Sequence, residues 1–309
     1  MKVAIAGSSG FVGSELVRVL RARGDEVWPL VRREPRGNEL RWDPAAGTLD
    51  PATLGGFDAL VSLGGENIAG GRWTPARKQV LRDSRVGPTE LLSRTLSSMD
   101  RPPGVWVSIS GEAFYGNPGD VLVDETHPVG PGFLPELCRD WEAATGSPPG
   151  VRVVHARLGV VIGPGGGAIA ELKLPFQLGL GGPVGGGRQW MPWIGLHDAA
   201  RAFAACIDDP GIRGPVNLVH PEPVRQAEFA RALATALSRP AFVPTPAFVM
   251  KLLFGEMARL QPLVSAFFEK VLVMAKDEKV KNNRLALLKN LSAVFAGVAD
   301  FSRVSAAKA

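Results

Sequence analysis

Seven residues near the start carry chemistry by type and spacing. Gly7-Ser8-Ser9-Gly10-Phe11-Val12-Gly13 follows a short apolar run, 2–6, and leads into a stretch, 14–23, whose apolar residues Val12, Leu16, Val19 and Leu20 recur at helical spacing. In a strand–turn–helix unit each glycine has its own task. Gly7 permits the tight turn, Gly10 lets the backbone approach a pyrophosphate, and Gly13 lets the helix pack close to the strand. Ser8, Ser9, Phe11 and Val12 complete the turn, whose free N–H groups and helix dipole suit phosphate oxygens. This is the chemistry of a dinucleotide site.

The next strand selects the cofactor. Gly24 suits a helix stop, and an apolar run over 26–31 ends in Arg32 and Arg33. An acidic residue at this strand end would bind the ribose 2′-OH of NAD. Two arginines instead suit a 2′-phosphate, so the expected cofactor is NADP (NADPH) rather than NAD. A further apolar run, 57–65, closes on Leu63, Gly64 and Gly65, a backbone suited to lie along the cofactor.

These residues need a sheet to hold them. A helical stretch within 75–96, a strand over 105–110, a helix over 134–144 and a strand over 152–161 continue the alternation. Such alternation implies an α/β fold of Rossmann type, a doubly wound parallel sheet with helices on both faces. Ligands bind such sheets beyond the C-terminal strand ends, where Gly7, Gly64 and Ser110 all fall.

A second informative segment is 175–198. Glycines over 179–187 precede Arg188, Trp190 and Trp193. Arginine can clamp a phosphate and tryptophan can stack on a ring, which makes Arg188 and Trp190 substrate-binding candidates. The competing reading is an interface loop with buried tryptophans. Asp198 reads as an N-cap or first-turn carboxylate.

Composition narrows the rest. Two cysteines and four scattered histidines exclude a disulfide framework and give no metal-ligand spacing, so no metal is expected. The N-terminus enters a strand at once, without signal-peptide regions, and no apolar run spans a membrane. A cytoplasmic protein with a small-molecule substrate is expected, with a homodimer left open. The formal charge of +5 resides in the last 52 residues, nine basic against four acidic, so the body is neutral and nucleic-acid binding is not expected.

With these residues goes a resemblance. The turn GSSGFVG, then LGGENIAGGRWT (63–74), DSRVGPTELL (83–92), SISGEAFYG (108–116), ELCRDWE (136–142) and RLGVVIGPGGG (157–167) together resemble the atypical extended short-chain dehydrogenases/reductases, in particular the YfcH-type NAD(P)-dependent epimerase-like group. The similarity spans about 1–258. It implies a Rossmann domain with a substrate-binding portion at about 165–258, and by analogy a nucleotide-sugar-like substrate.

The resemblance exposes a gap. Members typically use a Ser/Thr with a Tyr-x-x-x-Lys pair for proton transfer. The chain has one tyrosine, Tyr115, and Gly119 stands four residues on. Alignment on Glu142 places Leu134 at the tyrosine position and Cys138 at the lysine position. Ser110 falls near the serine position and is the catalytic candidate, to bind a substrate oxygen or else to cap backbone. Glu112 is an acid/base candidate. Tyr115 is expected to pack or to contact substrate. Cys138 reads as a small buried hydrophobe or a titrating thiol. Two functions stand: an NADP-dependent epimerase/oxidoreductase, or a non-catalytic NADP-binding regulatory protein resembling cell-division inhibitors.

The tail, 259–309, reads as a separate fusion of two amphipathic helices, 262–275 and 277–298. Residues 267–304 resemble the C-terminal end of the glycyl-tRNA synthetase β subunit, without its catalytic parts.

Overall fold

The computed structural model describes residues 1–71, 73–177, 181–183 and 186–238. The tail helices and the end of the substrate-binding portion lie outside these residues.

The chain opens with β1 (Lys2–Ala6), α1 (Phe11–Ala22) and β2 (Glu26–Val31), followed by a short β3 (Leu40–Arg41). Then come β4 (Ala59–Ser62), α2 (Pro75–Asp83), α3 (Val86–Ser97), β5 (Val105–Gly111), α4 (Phe133–Ala143) and β6 (Arg152–Leu158). The remaining elements are β7 (Val160–Ile162), α5 (Gly167–Gln177), β8 (Trp190–Met191), β9 (Trp193–Gly195), α6 (Leu196–Asp208), β10 (Gly214–Leu218), β11 (Val224–Arg225) and α7 (Gln226–Ala236).

Two compact units result. One is Met1–Ala170 with Arg188–Arg225; the other is Glu171–Gly187 with Gln226–Ala309. In the second, α7 buries Phe229, Ala230, Leu233 and Ala234 along one face, and Ala227 N–H donates to the Gly187 carbonyl at 3.0 Å.

The first unit holds a seven-stranded sheet in the order β10-β6-β5-β4-β1-β2-β3, with every pair parallel. Starting at β1, the chain steps outward to β2, then returns to the other side through β4. This reversal between β1 and β4 opens the crevice in which doubly wound folds bind ligands.

Alternation along the strands builds both faces. Val3, Ile5, Val61 and Val107 point toward α1 and α6, where Leu16, Leu20, Phe203 and Ile207 meet them. Ala4, Ala6, Leu60 and Trp106 point the other way, toward Leu91, Leu92 and Leu96 of α3. A strand buried on both faces reads as a continuous apolar run, as β1 does. Trp106 is fully buried and its indole N–H finds the Ser62 hydroxyl at 3.0 Å, so its polar atom is not stranded.

Two breaks interrupt these elements. The span 75–96, read as containing a helical stretch, holds two helices, α2 and α3, which part at Ser84 and Arg85. The Ser84 hydroxyl turns back to the Leu81 carbonyl at 2.9 Å and takes the Glu66 N–H at 3.1 Å. The strand 152–161 breaks at Gly159, whose N–H goes to Leu218 while Val160 N–H goes to Pro192. A Cβ at 159 would lie 2.9 Å from the Pro192 carbonyl oxygen, so this crossing needs a glycine. Beyond it β7 leaves the main sheet and pairs in parallel with β9.

Candidate functional site

The glycine turn forms as its spacing predicts, and close approach explains each glycine. Gly7 has φ +84°, and a Cβ there would lie 3.0 Å from the Leu63 carbonyl carbon. A Cβ on Gly13 would run into the Gly7 carbonyl oxygen and the Ser8 Cα. Gly10 caps α1 with extended backbone; it has no side-chain cap, and the first turn of α1 holds no acidic residue. The leading N–H groups of α1 therefore keep their capacity for an anion. These features fit a dinucleotide diphosphate.

Phe11 has a different task for its side chain. Its ring sits against Gly166 and Gly167, each of which would collide with it if it bore a Cβ, and Gly163 lies close beside it. This pins the loop after β7 to the start of α1 and leaves Phe11 only its backbone for a ligand.

At the end of β2, Arg33 forks onto Glu39, with both N–O distances 2.6 Å, and also donates to the Glu34 carbonyl. Arg32 is exposed and makes no hydrogen bond or ion pair among the described residues. The two arginines are thus unequal: one is already paired, the other is open.

A cavity of about 230 Å³ lies at the C-terminal ends of β4 and β5. Gly64, Gly65, Ser110, Leu134, Cys138 and Arg85 contribute to its wall. Residues from four separate parts of the sequence therefore meet in one place. Leu134 and Cys138 stand on α4, one turn apart on the face that buries Leu137 and Trp141. Burial pushes the Cys138 thiol up to about 11, so at neutral pH it remains a weakly polar apolar-packing group.

Ser110 is 4% exposed at the end of β5, and its hydroxyl donates to Glu142 Oε1 at 2.7 Å. It is not a backbone cap. Glu142 is held in turn by a fork from Arg157, Nε to Oε1 at 2.9 Å and Nη2 to Oε2 at 2.8 Å. Arg157 is 3% exposed on β6, with its guanidinium 3.5 Å from the Phe114 ring centroid. Its Nη1 donates to the Tyr115 hydroxyl at 2.9 Å, and that hydroxyl donates to Asn217 Oδ1 at 2.7 Å. Tyr115 is therefore a buried member of a polar network that reaches Ser110 through Glu142. It is not part of the cavity wall.

Glu112 follows in a single 3-10 turn, 112–115, with burial raising its carboxyl to about 7. Its neighbours Gly111 and Ala113 line the cavity.

Arg188 and Trp190 gather elsewhere. The Trp190 indole N–H donates to Asp120 at 2.9 Å, and the Arg225 guanidinium lies 3.7 Å over the Trp190 ring. Arg225 also donates to Asp120 and to the Arg188 carbonyl oxygen. Trp193 stacks on His220 at 4.3 Å. Trp190 remains 42% exposed, while the arginine stacked on it is Arg225, which sequence reasoning did not single out. Asp198 falls in the first turn of α6, behind an N-cap at Gly195.

Arg85, Arg157, Glu142 and Asn217 were also missed as site residues. The available signal was a charged residue inside an apolar strand: Arg157 interrupts RVVHARLGVV at a position that must be buried.

With this geometry in place, a sequence profile of the NAD dependent epimerase/dehydratase family matches residues 3–217. The chain belongs to that family. An epimerase family protein of Mycobacterium bovis is 46% identical over 259 residues, covering 83% of this chain and 85% of that protein. The crystal structure of human epimerase family protein SDR39U1 (isoform 2) with NADPH superposes with a TM-score of 0.74 at 37% identity, covering 84% of this chain and 88% of that one. A nucleoside-diphosphate sugar epimerase from Corynebacterium glutamicum gives a TM-score of 0.67 at 31% identity, over 95% of this chain and 66% of that one. The family fold is the Rossmann-like sheet described above, and the family binds NAD(P). No helix among the described residues is long and apolar enough to cross a membrane.

Proposed function

We propose that this chain is an NADP(H)-dependent epimerase or oxidoreductase acting on a small, nucleotide-sugar-like substrate. The observation that carries the reading is the cavity that joins Gly64, Gly65 and Ser110 beside the glycine turn of β1 and α1. The human relative's structure contains NADPH, and the Corynebacterium relative is described as a sugar-nucleotide epimerase, which supports both halves of the reading.

The first-turn N–H groups from Phe11 to Gly13, together with the turn at Ser8 and Ser9, would hold the diphosphate, while the Gly10 N–H closes the turn onto the Gly7 carbonyl. Arg32 would meet the 2′-phosphate, with Arg33 held beside it by Glu39. Leu63, Gly64 and Gly65 would lie along the cofactor. The nicotinamide, when bound, supplies hydride transfer. Ser110 has its hydrogen committed to Glu142, so toward the cavity it presents oxygen lone pairs. It would accept a hydrogen bond from a substrate hydroxyl and fix that carbon's orientation. Trp190, with Arg188 nearby, offers a half-exposed surface for a remote part of the substrate.

A second reading is a cofactor-binding protein without turnover. Leu134 and Cys138 favour it, because neither side chain on the cavity wall can run a proton relay near neutral pH. The two readings separate in one experiment. The full chain is incubated with 4-deuterated NADPH and a panel of carbonyl compounds, and separately with NADP+ and nucleotide sugars. Deuterium appearing in any carbonyl-derived product, or conversion of a nucleotide sugar to its epimer, upholds the enzyme. Tight NADPH binding with the label retained and no epimer formed upholds the second reading.

A further inference from the structure

Arg85 stands in an unusual state for a buried cation. It is 6% exposed at the junction of α2 and α3 and lines the cavity. It makes three hydrogen bonds, and every acceptor is neutral. Nη1 donates to the Leu81 carbonyl at 3.1 Å and the Ser84 hydroxyl at 3.2 Å, and Nη2 donates to the Glu66 carbonyl at 2.9 Å. No carboxylate pairs with it among the described residues. Glu66, whose main-chain carbonyl Arg85 uses, gives its carboxylate to Arg77 at 3.2 Å. The Trp141 ring lies 5.1 Å from the guanidinium carbon and offers only a cation–π contact.

A guanidinium carries five N–H donors, so two are left over. They are the Nε hydrogen and one hydrogen of Nη2. A Cβ on Gly65 would lie 3.1 Å from Cζ, 3.2 Å from Nη2 and 3.3 Å from Nε. Cζ is the nearest of the three, so this position lies over the guanidinium face, and the missing side chain at 65 is what lets the backbone pack against that face. A buried charge without a counter-ion is costly, and the cost is relieved when an anion arrives.

We propose that Arg85 is the anion-recognition point of the cavity: the occupant carries a carboxylate or phosphate that pairs with the two donors Arg85 leaves unused, at Nε and Nη2. A guanidinium fork matches two oxygens of such a group. Burial lowers the Arg85 pKa, yet a guanidinium stays charged in proteins. The inference deepens the reading of the cavity as a substrate pocket and rests on it for the source of the anion. Two sources share this chemistry, an acidic group on the substrate and the diphosphate of the cofactor.

The test uses the full chain as wild type, Arg85→Met, Arg85→Lys and Gly65→Ala. Thermal midpoints are measured at constant ionic strength with inorganic phosphate, inorganic pyrophosphate or pyruvate as probes, with and without NADPH, and NADPH affinity is titrated separately. At least one probe should raise the wild-type midpoint, as a ligand of the folded state must. Arg85→Met should weaken that probe by about tenfold or more, the loss expected of a charge-assisted pair, while melting no lower than wild type in the absence of anions. Gly65→Ala presses a methyl group on the guanidinium face and shifts it, so it should weaken the probe effect with Arg85 intact, and Arg85→Lys should retain only part of it. A shift that persists under saturating NADPH assigns the anion to the substrate. A shift abolished by NADPH, with NADPH affinity about tenfold weaker in Arg85→Met, assigns it to the cofactor diphosphate. If no probe shifts the wild type, or if Arg85→Met keeps every shift and its NADPH affinity, the proposal is overturned. Should the protein fail to bind NADPH at all, the cofactor reading falls, while the probe shifts without NADPH still decide the role of Arg85.

Discussion

Glu142 Oε1 accepts from the Ser110 hydroxyl at 2.7 Å and from Arg157 Nε at 2.9 Å, so one carboxylate oxygen orients the serine and neutralises a buried cation. Both partners are inaccessible enough that solvent cannot replace either. Glu142→Ala would leave Arg157 charged and unpaired. It should destabilise the protein by about 3–5 kcal/mol, read as a drop in the urea midpoint. A change below about 1 kcal/mol, the range of a surface ion pair, would mean that water already screens this one.

The glycine turn makes a sharper demand. Gly13→Ala places a methyl group against the Gly7 carbonyl oxygen, and the backbone on both sides of that contact is fixed by β1 and α1. The turn must open, costing about 1–3 kcal/mol of stability. NADPH affinity measured by cofactor fluorescence should fall at least about tenfold, because the displaced groups are those proposed to meet the phosphates. Unchanged affinity would move the cofactor away from this turn.

Cofactor choice should follow Arg32. The side chain is exposed and uncommitted, whereas Arg33 is held by Glu39. Arg32→Glu should weaken NADPH by about tenfold to a hundredfold and leave NADH unchanged or tighter. Titration of both cofactors against wild type and variant checks this. A parallel loss for both would show that Arg32 does not read the 2′-phosphate.

Glu112 gives a pH signature. Its folded carboxyl is raised by burial from 4.5 to about 7, so the folded state holds the proton more tightly than the unfolded chain. Its contribution to stability is therefore fully present below pH 4.5 and is lost as pH rises through about 7. Glu112→Gln, which stays neutral, should match wild type at pH 4 and exceed it at pH 8 by on the order of 2–3 kcal/mol. Equal stability curves across this range would place the carboxylate in solvent.

Much of this architecture follows from local pattern. Strands β1 and β2 and the helix between them lie where apolar run, glycine turn and helical spacing put them, since each is decided within a few residues. The meeting of Gly64, Gly65 and Ser110 follows from the parallel order, because strand C-termini share one edge. The network around Arg157 had no such signal. It joins Ser110, Tyr115, Glu142, Arg157 and Asn217, and no periodicity encodes which of these side chains share an interior. The breaks at Ser84 and Gly159 were hidden for a related reason. Each is set by a partner distant in sequence, Glu66 in one case and Pro192 in the other. The cysteine on α4 was legible as a buried apolar group, but the arginine opposite it, Arg85, was not legible as a site.

Tyr115 is the sole tyrosine of the chain, and it is buried with its hydroxyl between Arg157 and Asn217. Biosynthetic replacement of tyrosine by a fluorinated analogue would therefore give a single, unambiguous resonance in the whole protein. That nucleus sits one hydrogen bond from the guanidinium that holds Glu142, which in turn holds Ser110. Arrival of a ligand at the serine can thus be followed at a distance, without altering any group that touches it.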